Sequence, residues 1–246
     1  MENLMIMNYN KEKQKLLSYK NLRLHNEIKD YGKQFEQILA ERMETTYIKA
    51  NAEKIFNELI LREEILSNLS LIKDFDAITY RHSIKVAMIS ILIGIDMNLS
   101  DSELYNLGFG AFLHDIGKIF IEKKILNKKE SLENYEKQII EQHSRIGYIF
   151  LNNKINITNE IGKIILEHHE KYSGQGYPKK LQINDISYLA RIVSVADVYD
   201  ALTSERPYRN ILKHTVVLDY ISEKAAIDFD PRVVNSLLKL GVFKFN

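Results

Sequence analysis

The sequence predicts an all-α fold, a helical bundle with an N-terminal helical extension, and three observations carry that expectation. Only three prolines occur in 246 residues, Pro178, Pro207 and Pro231, so nothing before the last third of the chain forbids helix. Apolar residues recur at steps of three, four and seven over long stretches, the spacing of one helix face. No stretch alternates apolar and polar residues between turn signals, as a half-buried strand would.

Taken in order, residues 11–70 are charged with a spaced apolar stripe of Leu17, Leu24, Ile28, Tyr31, Phe35 and Ile38. Such a stripe suits a coiled-coil arm that joins two copies or docks a signalling partner. It suits equally an amphipathic helix lying on its own domain, and Asn21, Gly32 and Arg42 weaken the seam. We divide the chain at residue 70, with 1–70 as the helical segment and 71–246 as the catalytic domain. Ile84 to Ile95 reads as a buried helix. Ser100-Asp101-Ser102-Glu103 offers a cap for a helix to about Leu113. Further helices are expected over Leu132–Leu151, Asn159–Glu170, Ile186–Ser204, His214–Ala226 and Pro231–Leu240, with a loop at Gly174, Gly176 and Pro178.

Composition narrows the function classes. Hydrophobic residues make up 45% and charged residues 27%, which supports a sizeable core. A formal charge of +1 gives no basic excess to drive binding to a nucleic-acid polymer or a membrane surface. No basic region precedes Lys11, and the apolar run Val86–Ile95 is only about half a bilayer span. A cytoplasmic protein is expected. Cysteine is absent, so any metal must be held by histidine and carboxylate.

The chain has seven histidines, and a single one on a helix is ordinarily structural. Three of them, in two doublets, change the reading by their company. His114 and Asp115 follow an apolar run of Leu107, Phe109, Ala111, Phe112 and Leu113. His168 and His169 follow Ile161, Ile164, Ile165 and Leu166. Ionisable groups at the end of a buried segment cost roughly several kcal/mol unless paired or metal-bound. Adjacent residues on a helix point about 100° apart, so a doublet is expected to reach around a pair of ions rather than grip one. His82, His143 and Asp197 add ionisable groups among apolar neighbours. Nitrogen and oxygen donors without sulfur suit manganese, iron or zinc, and carboxylate-bridged ion pairs are known inside helix bundles.

These residues also carry a resemblance. His114-Asp115-Ile116-Gly117-Lys118, then His168-His169-Glu170, Gly174-Gln175-Gly176-Tyr177-Pro178 and Ala196-Asp197-Val198-Tyr199-Asp200-Ala201-Leu202-Thr203-Ser204, resemble in order the HD-GYP subgroup of the HD phosphohydrolases. Arg206-Pro207-Tyr208-Arg209 and Phe229-Asp230-Pro231 look like the same family, and the likeness covers about residues 71 to 240. It implies a bundle of the HD phosphohydrolase type that hydrolyses cyclic di-GMP to the linear dinucleotide pGpG or on to GMP. By matching motif, His82, His114, Asp115 and Asp197 would complete one metal site. Asp115 would bridge to a second, held by His143, His168 and His169. Some members add a glutamate one turn before the first histidine and bind three ions; Ile78 stands there, which favours two. Iron or manganese is the first expectation for them, with zinc, magnesium or nickel as alternatives.

The chemistry expected is in-line attack on phosphorus by a metal-activated hydroxide, with Asp115 and Lys118 as catalytic groups. Lys118 lies one helical turn beyond Asp115 and is expected to meet the scissile phosphate. Tyr177, Arg206 and Arg209 are the other substrate-binding candidates. Arg206 has the alternative reading of a structural partner for Asp200. The family's usual Asp is Ser173 here, which bears on substrate preference. Ser144 replaces a common proline, and Phe120 to Leu132 lacks the usual ones. His25 and His214 read as structural. Two other functions fit the same motifs: hydrolysis of a cyclic GMP–AMP hybrid, and a scaffold that binds cyclic di-GMP without turnover. Intact ligand positions argue against the scaffold.

Overall fold

The structure, a computed structural model, describes residues 22–41, 46–204 and 211–241. Its helices are α1 over 22–41, α2 Thr46–Ile60, α3 Glu63–Phe75, α4 Ala77–Asp96, α5 Asp101–Leu113, α6 Lys123–Leu126 and α7 Asn134–Glu141. They continue with α8 His143–Lys154, α9 Asn159–Glu167, α10 Tyr188–Thr203, α11 His214–Glu223 and α12 Pro231–Leu240. A 3-10 turn, Ile116–Phe120, lies between α5 and α6. No strand forms among the described residues, where one isolated bridge joins Ala225 to Phe229. The fold is all-α, as expected.

Its centre is α4, which packs against α2, α3, α5, α10 and α12. Asp76 starts it by accepting the Thr79 amide at 2.7 Å. Among the described residues α4 alone is long and apolar enough to cross a membrane, but 83% of its apolar window is buried inside the protein. A helix apolar all round is here the core helix. The expected cap of α5 is present: the Ser100 hydroxyl accepts the Glu103 amide, while Glu103 accepts the Ser100 amide at 2.9 Å.

The N-terminal stripe has a partner in its own chain. Leu24, Ile28, Phe35 and Ile38 are buried in the same core cluster as α4, α5 and α10. Phe35 meets Phe56 of α2 with ring centroids 5.1 Å apart, and Phe56 meets Phe112 of α5 at 5.8 Å. The core therefore continues across residue 70, and the described part of the stripe is covered without a second copy. Leu17 lies outside the described residues.

The helix expected over His214–Ala226 ends at Glu223, and two others differ in ways that bear on the candidate ligands. The segment 132–151 forms two helices, not one, because the chain turns at Gln142. There the Gln142 amide bonds the Ile139 carbonyl three residues back, at 3.2 Å, instead of continuing the α ladder. The break makes His143 the first residue of α8. The expected helix 159–170 stops at Glu167, leaving His168 as its C-cap and His169 beyond it.

Candidate metal centre

Helix ends supply most of the candidate ligands. His114 caps the C-terminus of α5, and Asp115 follows in the bridge region, φ −97° and ψ 6°, to open the 3-10 turn. His143 starts α8, His168 caps α9, and His82 and Asp197 lie within α4 and α10. One geometric device recurs three times. The Nδ1 atoms of His114, His143 and His168 each lie against the carbonyl three residues back, of Ala111, Ile140 and Ile165, at 2.7, 2.7 and 2.9 Å. A ring anchored through Nδ1–H has its Nε2 lone pair free for a metal, with tautomer and direction fixed.

All seven predicted ligands converge, in two groups. Asp115, His143, His168 and His169 form one, and His82, His114 and Asp197 the other, with the donor atoms of each group within 4.8 Å of one another. Asp115 faces both. Its Oδ1 is 3.3 Å from His143 Nε2, while its Oδ2 is 3.4 Å from His114 Nε2 and 3.8 Å from His82 Nε2. His143 and His168 bring their Nε2 atoms within 3.3 Å, and Asp197 lies 2.9 Å from His82 Nε2 and 3.9 Å from His169 Nδ1.

The expectation that adjacent histidines diverge fails for His168 and His169. Their rings are 4.1 Å apart and they belong to one group. The 100° rule holds within a helix, and the helix has ended before both residues.

Several observations say that this set suits metal. His114 Nε2 and Asp115 Oδ1 are buried with no hydrogen-bond partner, which in a native site calls for an ion or water. Burial pushes His143 down to about 4, lowers His169 to about 3, and holds His168 well below the usual range. These three rings are neutral at neutral pH, the form that binds metal. Burial opposes ionisation of Asp115 and Asp197, yet Lys118 with the nearby histidines, and His82 respectively, hold both carboxyls well below their ordinary values. Neutral imidazole and carboxylate without thiolate suit first-row divalent ions.

The sequence reading missed Asp200 as a supporting group. It is buried in α10, one turn after Asp197, and its Oδ2 lies 2.6 Å from His82 Nδ1. Ser204 donates to its other oxygen at 2.7 Å. This is the carboxylate–histidine arrangement that orients a metal ligand. The Asp-x-x-Asp spacing was visible; only the fold shows that the second carboxylate serves His82.

Burial would lower the His82 imidazole, but its bonds to Asp197 and Asp200 outweigh that and push it up to about 9. Its proton therefore stabilises the metal-free fold fully below the unfolded value near 6.5, and this contribution is lost as pH rises through about 9. At pH 7.5 that proton must leave before Nε2 can ligate. Metal uptake at pH 7.5 is accordingly expected to release about one proton, with less release as pH approaches 10. Titration calorimetry in buffers of different ionisation enthalpy reads this directly, and a heat independent of buffer contradicts it.

Lys118 faces the centre, its Nζ 2.5 Å from Asp115 Oδ2. The Tyr177 ring lies on His169, centroids 4.7 Å apart and 30° between planes, and forms one wall. Arg206 and Arg209 lie outside the described residues. Ser173 is exposed, its amide bonded to the Ile227 carbonyl, and Ser144 is buried beside His143. His25 and His214 stand apart, His25 against the Ile60 carbonyl and His214 against the Tyr199 hydroxyl.

Comparison with known proteins places this geometry among relatives. The family model described as HD domain matches residues 37–233. The cyclic di-GMP phosphodiesterase response regulator RpfG of Xanthomonas campestris is 38% identical over 186 residues, 74% of this chain and 49% of its own length. A cyclic di-GMP phosphodiesterase of Thermotoga maritima is 36% identical, over 78% of this chain and 53% of its own. The chain thus spans about half the length of these curated relatives. A crystal structure of a cyclic GMP-AMP specific phosphodiesterase of V. cholerae aligns with a TM-score of 0.54 at 20% identity. It covers 72% of this chain and 47% of that one, a likeness of fold.

Proposed function

This chain belongs to the HD domain family, and we propose that it is a metal-dependent phosphodiesterase whose substrate is a cyclic dinucleotide, cyclic di-GMP first. The observation that carries the reading is Asp115, one buried carboxylate whose two oxygens face two separate groups of histidine and aspartate. We take the centre to hold two divalent ions, iron or manganese. His82, His114 and Asp197 would hold one, His143, His168 and His169 the other, with Asp115 between them. Such ions, when bound, acidify coordinated water and offset charge that grows on phosphoryl oxygens.

The chain's own residues supply the rest. The anchored imidazoles keep their donor atoms fixed, so little reorganisation is needed when substrate arrives. Lys118 is held beside Asp115 by the 3-10 turn, where an ammonium can meet a phosphate oxygen or the leaving oxygen. Tyr177, backed by His169, offers an aromatic face for a base or sugar. Arg206 and Arg209 follow α10 and are suited to phosphate or guanine by their planar donors. A cytoplasmic setting belongs to the same reading.

Lys118→Ala is expected to keep its metal and to lose turnover by about 10²-fold, the usual scale for one preorganised charge at the reacting phosphate. Unchanged turnover would remove Lys118 from the mechanism. The function itself is tested with metal-loaded protein on cyclic di-GMP, cyclic GMP–AMP and pGpG, against the His143→Ala variant. The expected result is fastest loss of cyclic di-GMP, with pGpG or GMP formed. Faster loss of the GMP–AMP hybrid selects the second substrate. No cleavage above the variant leaves a binding scaffold and overturns the reading.

A further inference from the structure

Glu167 and Glu170 flank the histidine doublet, and both are buried. A buried carboxylate is costly unless its oxygens are matched by donors. Among the described residues, the donors that meet these two come from the loop that joins α9 to α10. Glu170 Oε1 accepts the Lys179 amide at 2.6 Å and Oε2 the Leu181 amide at 2.9 Å. Glu167 Oε2 accepts the Ser187 amide at 2.9 Å, and its Oε1 is 3.7 Å from the Lys179 ammonium. The Tyr177 amide adds a bond to the His169 carbonyl at 3.2 Å. Gly176 lets the strand of loop close down, since a Cβ there would lie 2.5 Å from both Glu170 Cα and the His169 carbonyl oxygen. The segment that ends in two metal-ligand candidates therefore also holds the loop that carries Tyr177.

We propose that Glu170 is a positioning residue for substrate: by taking two loop amides on one carboxylate it sets Tyr177 against His169 as a platform for a nucleobase, while Glu167 pins the far end of the loop at Ser187. The proposal rests on the reading that a cyclic dinucleotide enters this centre. A carboxylate is required because two N–H donors converge on two oxygens of one group. Glutamine offers one oxygen, and its amide hydrogens would oppose the second N–H.

Glu170→Gln, Tyr177→Ala and the double variant are compared with the parent chain by metal content, amide exchange over residues 174–181 and steady-state kinetics. Glu170→Gln is expected to keep the parent's metal content and to exchange Lys179 and Leu181 amides faster. Its KM for cyclic di-GMP should rise about tenfold with kcat within about twofold, the scale of a lost charged hydrogen bond. Cleavage of bis(p-nitrophenyl) phosphate, which has no nucleobase, should be unchanged. Tyr177→Ala should raise KM without altering loop exchange, and the double variant should be no worse than Tyr177→Ala alone, because Glu170 acts through Tyr177. Metal loss in step with activity, an equal fall on both substrates, or unchanged loop exchange overturns the positioning role. If the parent chain cleaves the simple diester but no cyclic dinucleotide, the substrate reading fails instead, and loop exchange alone decides whether the clamp exists.

Discussion

Asp115→Asn is expected to lose both bound ions together and to lower phosphodiesterase turnover by on the order of 10³-fold or more, whereas His82→Ala should keep one ion. The difference follows from the geometry. His82 belongs to one donor group, but Asp115 presents Oδ1 to one and Oδ2 to the other. Asparagine keeps the size and one oxygen, so packing is preserved, but its nitrogen has no lone pair to give and its charge is gone. Two cations close together in a buried site need a shared anion between them, and among the described residues Asp197, 2.9 Å from His82 but 3.9 Å from His169, faces the two groups less evenly than Asp115 does. Elemental analysis of the variants beside the parent chain, with turnover on the same samples, measures the effect. One ion retained in Asp115→Asn would show that the carboxylate does not bridge.

Gly117→Ala should be the most damaging substitution outside the ligands. The 3-10 turn carrying Lys118 crosses the start of α8 at backbone contact. A Cβ on Gly117 would lie 1.9 Å from the His143 carbonyl oxygen and 2.7 Å from the Gly147 amide nitrogen. Both are main-chain atoms in a helix, so neither can swing aside as a side chain could. The turn must move away from α8, at a cost of about 3 kcal/mol or more. For a chain of this size that lowers the melting temperature by roughly 6–12 °C. The same displacement separates Asp115 from His143, so the group those residues share should lose its ion first. Thermal unfolding of the metal-free and metal-loaded variant checks both parts. A melting point within about 2 °C of the parent would refute the close approach.

The candidate ligands were legible because their chemistry is out of place locally. His114-Asp115 and His168-His169 each end an apolar run, where uncompensated charge is expensive, and their order along the chain matched a family pattern. Their supports were not legible in the same way. Nothing near His82 announces that Asp200, 118 positions away, will orient its ring. Glu170 directly follows the His168-His169 doublet, yet its purpose depends on where the Lys179 and Leu181 amides come to rest. The helix pattern over 132–151 was real, but periodicity is insensitive to a one-residue tightening at Gln142, and that tightening aims His143 at the centre. The doublet geometry was misread for a related reason: spacing rules describe helix interiors, and these ligands sit where helices stop. The apolar stripe in the first helix fitted two arrangements equally well. Only the packing of Phe35 on Phe56 shows that its described part is covered by its own chain.

Anomalous diffraction from crystals grown with manganese or iron, recorded on both sides of the metal absorption edge, addresses the centre most directly. Two strong peaks flanking the Asp115 carboxylate, one beside His82, His114 and Asp197 and one beside His143, His168 and His169, are the predicted result. A lone peak coordinated by only one of these groups, or peaks remote from Asp115, would contradict it.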